Sequence, residues 1–109
     1  MAIQKAGRLQ FQDLFDVVGA GAFTVNMGNA ATGSGTFAVA QVTVPGAALG
    51  DFVLVAAGVD VVDAALVGSV TAANTVDIVL LNNTAGAVDL ASATYPVVVL
   101  RLNPAYAVV

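Results

Sequence analysis

Ser34, Ser69, Ser92, Lys5 and seven aspartates are the main stock from which this chain of 109 residues could build nucleophilic or acid–base chemistry. It holds no histidine, cysteine or glutamate. A serine nucleophile needs a base within hydrogen-bond reach, and Lys5 is the only lysine. The aspartates have plainer places. Asp51 follows Gly50 in a turn, Asp60 and Asp63 flank a connection, and Asp89 follows a loop containing glycine. The chain reads as a non-enzyme.

Three further motifs fall to the same test. Gly33-Ser34-Gly35-Thr36-Phe37-Ala38 spells a dinucleotide fingerprint, but that motif works only between a strand and a helix. A β-rich run follows it here, so the glycines read as a loop and no cofactor is implied. Asp60-Val61-Val62-Asp63 offers two carboxylates, too few for a hard cation without several other oxygen ligands, and reads as a solvated turn with no metal. Asn82-Asn83-Thr84 is a formal glycosylation sequon that matters only in a secreted chain.

Composition narrows the class. Charged residues make up 9% of the chain and hydrophobic residues 59%, where an ordinary soluble domain carries roughly 25% charged. A monomer of 10.8 kDa should expose about 5,500 Å², which so few charges cannot dress in the usual way. Small polar residues, a covering subunit, or both must do so, and a homo-oligomer is expected. A membrane helix is not, because Asp60, Asp63 and Pro96 interrupt the apolar runs. No signal peptide is read either: Lys5 and Arg8 lead into "LQFQDLFD" rather than an apolar run. A net charge of −4 argues against nucleic acid. Zero cysteine suits synthesis in a reducing cytoplasm.

The elements that would position any site are strands. Candidate strands lie at 36–44, 52–59, 65–71, 75–81 and 95–102, with a short one at 23–27, and turn residues punctuate them. Val, Thr and Ile favour a pleated surface. The pattern predicts an all-β, single-domain β-sandwich with jelly-roll-like connections over residues 19–109, the alternative being a small β-barrel. Residues 1–18 differ in composition and read as an N-terminal arm. Phe11, Leu14, Phe15 and Val18 fall on one stripe of a short helix, while Leu9 and Phe11 also fit one face of a strand.

A sheet with one wet face should alternate apolar with polar. In "VDIVLL", Val76, Ile78 and Leu80 share one face, against Asp77, Val79 and Leu81 on the other. In "VVVLRL", Val98, Leu100 and Leu102 oppose Val97, Val99 and Arg101. Neither strand has a properly polar face. Val79, Leu81, Val97 and Val99 are assigned to a subunit interface.

"VTVPGAALGDFVLV" and "VTAANTVDIVLLNNTAGAVDLASATYPVVVLRL" together resemble a small β domain recurrent in structural proteins of tailed bacteriophages. The likeness spans about residues 41–102 and rests on Pro45 to Asp51, Ser69 to Val76 and Thr84 to Ser92. It implies a virion structural role and no catalytic residue. The chain's size then favours a capsid decoration or cement protein, expected as a homotrimer on the major capsid protein at the capsid surface and made in the host bacterial cytoplasm. Its attachment arm would use Lys5, Arg8, Leu9, Phe11, Leu14 and Phe15. The alternatives are a head-fibre or tail-associated module and a carbohydrate-binding β-sandwich. Against the last stands the absence of Trp, with Tyr95 and Tyr106 the only tyrosines.

Overall fold

A computed structural model describes residues 14–30 and 36–103. They form an all-β fold of eight strands: β1 (Phe15–Val25), β2 (Asn29–Ala30), β3 (Thr36–Thr43), β4 (Phe52–Val55), β5 (Ala65–Ala72), β6 (Thr75–Asn82), β7 (Val88–Asp89) and β8 (Ala93–Leu102). Two antiparallel three-stranded sheets, ordered β1-β8-β4 and β3-β6-β5, make the sandwich, and β2 pairs with β7 at its flank. The pairs β1–β8, β2–β7 and β3–β6 are nested, as in a hairpin folded back over itself. The innermost strands depart from that plan: β4 joins β8, and β5 joins β6.

The core lies between the sheets. Tyr95, Val97 and Val99 of β8 meet Val76, Ile78 and Leu80 of β6 there, with Val42, Val44 and Val70 beside them. Burial along β6 alternates strictly, as a strand between core and surface requires. Each fully buried aliphatic side chain stabilises by about 1.5–3 kcal/mol. Gly68, opposite Ile78, keeps β5 against β4: a Cβ there would lie 2.6 Å from Val53 Cγ1.

Five of the expected strands are present with small changes of limits, and the largest change has a clear cause. β4 ends at Val55 rather than near residue 59. The next hydrogen bond runs from the Ala56 N–H to the Pro96 carbonyl. In an antiparallel ladder that carbonyl's own N–H would point the same way, and proline has none. The ladder stops at that residue.

β1 departs further from the sequence reading. The helical stripe expected through Leu14, Phe15 and Val18 is a strand from Phe15 onward, so the arm boundary at residue 18 falls inside β1. A β-bulge between Val17 and Gly19 explains the misleading spacing. The extra residue shifts the alternation by one, and Val18 turns to pack on the core while Phe15 and Val17 stay outside.

Candidate functional site

The best-fastened feature is the loop from Val44 to Asp51. Pro45 opens it, and Gly46 and Gly50 take left-handed φ values of 91° and 97°, which glycine adopts without steric cost. The Ala47 N–H donates to the Val44 carbonyl and the Asp51 N–H to the Ala48 carbonyl, each at 3.1 Å. Asn74, itself left-handed, reaches across from the β5–β6 turn. Its Oδ1 accepts from the Gly46 N–H at 2.8 Å, and its own N–H donates to the Ala47 carbonyl at 2.8 Å.

Arg101 closes the loop from β8. Its Nε and Nη2 donate to the two Asp51 carboxylate oxygens, each at 2.8 Å, and Nη2 also donates to the Gly46 carbonyl at 3.0 Å. Asp51 Oδ2 accepts a further bond from the Ala48 N–H at 2.9 Å. The Asp51 side chain is only 3% exposed and the Arg101 side chain 44%. The Arg101 hydrogen bonds hold the Asp51 carboxyl below its ordinary pKa, against the opposing effect of burial, and the Ala48 N–H adds to them. Asp51 in turn raises the Arg101 guanidinium. A carboxylate with both oxygens engaged and a guanidinium that stays charged make a structural clasp, with no group free to exchange protons near neutrality.

Two other polar side chains, Asn82 and Asp60, are similarly committed. Asn82 is fully buried; its Nδ2 donates to the Gly86 carbonyl at 2.8 Å, and its Oδ1 accepts from the Thr84 N–H and Oγ1. The sequon asparagine therefore serves as an internal staple. Asp60 Oδ1 accepts from the Val62 N–H at 2.9 Å, which is the local turn expected of it. The Tyr95 hydroxyl is buried and has no hydrogen-bond partner among the described residues, and burial pushes its pKa up. No group of three or more acidic, histidine or cysteine residues that could hold a metal occurs among the described residues.

Among the described residues, the outer faces of the two sheets are the other candidate contact surfaces. Residues opposite one another in a ladder share a face, so the registers define two outer faces. On the β1-β8-β4 sheet one row is Val17, Leu100 and Phe52, and the next is Ala20, Val98 and Leu54, with Ala22 and Pro96 beyond. Val17 is 61% exposed and Leu54 60%. Phe15 packs edge-to-face on Phe52 with ring centroids 5.8 Å apart. On the β3-β6-β5 sheet the rows are Phe37, Leu81 and Ala65, then Val39, Val79 and Val67, then Gln41, Asp77 and Ser69. Gln41 Nε2 donates to Asp77 Oδ1 at 3.0 Å, so this face turns polar halfway along.

The expected interface residues divide. Val79 and Leu81 do lie half-buried on an outer face. Val97 and Val99 do not: at 1% and 0% exposed they are core residues of their own chain. The β8 face expected to meet a neighbour is the inner one, and Val98 and Leu102 look outward instead. Of the expected arm residues, Lys5, Arg8, Leu9 and Phe11 lie outside the described residues. Phe15 belongs to the sheet, and the Leu14 carbonyl accepts from the Asn103 N–H at 2.8 Å. The sequence reading passed over Val17, Phe52 and Leu54. The alternation in "FVLV", with Val53 and Val55 turned to the core, was the available signal.

No protein-family profile, curated protein or solved structure matches this chain.

Proposed function

We propose that this chain is a structural protein of a tailed-bacteriophage virion, a decoration or cement protein that seats on the outside of the head and stabilises contacts between capsomers. The observation that carries the reading is the pair of apolar outer faces on one small sandwich, Val17-Phe52-Leu54 on one side and Phe37-Val39-Val67 on the other. A bridging protein needs two contact surfaces and little else. Patches of this kind on a soluble domain mark contact with other proteins.

The resemblance over residues 41–102 supports the same reading, because its carriers have structural tasks. Pro45 to Asp51 form the clasped loop, Asn74 ties the adjoining turn to it, and Thr84 and Gly86 hold Asn82. The partners we assign are two further copies in a homotrimer and the major capsid protein. The site of action is the capsid surface, after synthesis in the host cytoplasm. With no titrating histidine on this chain, attachment should not change between about pH 5.5 and 8 through its own side chains.

The test is location and function on particles. Antibody against the protein should label heads, and adding it to heads that lack it should raise the temperature at which they release their contents. Label on the tail would move the chain to a tail-associated module. Specific binding on a glycan array without particle binding would overturn the virion reading.

A further inference from the structure

The clasped loop is held firmly and yet turns a leucine away from the protein. Ala47 is buried in the core, while Leu49, two residues on, is 72% exposed, more than any other large apolar side chain among the described residues. Asn74 fixes the backbone before it, and Arg101 fixes Asp51 after it. A side chain on a loop already ordered in the free protein loses little freedom when it binds. Leu49 is thus built as an anchor for another surface.

Its position in the fold says what it meets. The Asn103 N–H donates to the Leu14 carbonyl, so residues 1–13 and 104–109 join the sandwich side by side at the end that carries the loop. Leu14, Val17, Phe52 and Leu102 are exposed around that end. Its described carboxylates both face Arg101: Asp51 is bonded to it, and Asp16 lies opposite it in the ladder. Lys5 and Arg8, the other two cations of the chain, belong to the segment that enters here. The far end, where Val25 pairs with Ala93 and Thr36 with Asn82, is of opposite character. There Asp60, Asp63 and Asp89 are exposed, and Arg101, the only cation among the described residues, is at the other end. The molecule is apolar and basic at one end, and acidic at the other.

We propose that the chain seats end-on, with the end that carries Leu49 against the shell protein of the head and the acidic end pointing away. This assignment rests on the virion reading. The partner it fits is a protein surface with an apolar recess edged by carboxylates. Leu49 enters the recess, Phe52 and Leu102 border it, and the carboxylates answer Lys5 and Arg8. The arrangement suits three copies, because rotation about an axis normal to the shell keeps the same end of each copy on it.

Co-sedimentation of the purified full chain with heads that lack it tests the assignment. Leu49→Asp should weaken binding by about a hundredfold, since a carboxylate would have to enter an apolar recess. The free variant should keep the circular dichroism and the oligomeric state of the wild type. Val62→Asp, at the far end, should bind as the wild type does. Leu49→Ala gives a smaller loss in the same direction should Leu49→Asp fail to fold. A folded Leu49→Asp or Leu49→Ala variant that binds as tightly as the wild type overturns the end-on seat and leaves the virion reading standing. So does a loss from Val62→Asp equal to that from Leu49→Asp. A wild type that binds no head removes the virion reading, and this assignment with it.

Discussion

Residues 44–51 carry the chain from the β3-β6-β5 sheet to β4, and residues 56–64 carry it back. Both connections need left-handed backbone. The first places it at Gly46 and Gly50, the second at Val62 and Asp63, with φ of 54° and 66°. Aspartate tolerates that region, but a β-branched residue there is a steric outlier. The first loop is fastened by distant residues, Asn74 and Arg101. Among the described residues the second is tied by short-range bonds, from the Val62 N–H to Asp60 Oδ1 and from the Ala64 N–H to the Val61 carbonyl, besides the bond from the Ala56 N–H to the Pro96 carbonyl at its start. One connection is fastened by hydrogen bonds from distant residues; the other packs Ala57, Val59, Val61 and Ala64 on the core but is hydrogen-bonded mainly within itself, and it stores strain at Val62.

Substitutions that exchange these roles separate the two designs. Asp51→Ala should have the largest effect, a loss of about 2–3 kcal/mol, because it strips charge-assisted bonds and leaves the Ala48 N–H without its partner. Urea denaturation reads it directly. Gly50→Val should cost about 1–2 kcal/mol through the backbone alone, since a Cβ there meets nothing within 4 Å. Val62→Gly should move the opposite way and stabilise by about 0.5–1 kcal/mol, strain relief exceeding the extra freedom of the unfolded chain. If Gly50→Val and Val62→Gly shift the melting temperature in the same direction, the contrast between the loops is wrong.

Acid gives the smallest and most selective effect. The folded-state pKa of Asp51 lies below its ordinary value of 3.8, so its contribution is complete above the unfolded value and is lost as pH falls through the folded one. The wild type should therefore lose stability below about pH 4 more steeply than Asp51→Ala. The half-exposed Arg101 keeps this term modest and sensitive to salt.

The same contrast explains what could be read in advance. Left-handed backbone at Gly46 and Gly50 was legible because glycine announces it, whereas Val62 gives no such signal. The five main strands were legible from β-branched runs between turns. Their facing was not, because Val97 and Val98 are chemically alike and only packing against Ile78 and its neighbours decides which is buried. The short strand expected at 23–27 caught only the end of β1, and its first part escaped notice for two reasons: Gly19 to Ala22 are weak strand formers, and the bulge at Val18 imitates a helical spacing. The Arg101–Asp51 clasp joins residues far apart in sequence, and nothing local to either one predicts it.

The pairing of β1 with β8 also sets an order of events during synthesis. All three strands of the β3-β6-β5 sheet have been made once residue 82 is added, so that half can assemble from segments close in the chain. β1 leaves the ribosome early, yet its partner begins at Ala93. At about 5–20 residues per second, β1 waits several seconds with Val18, Phe23 and Val25, which pack on the core in the finished fold, uncovered. That interval leaves the nascent chain open to chaperone capture, and it lasts until β8, through Leu102, has been made and has cleared the ribosome.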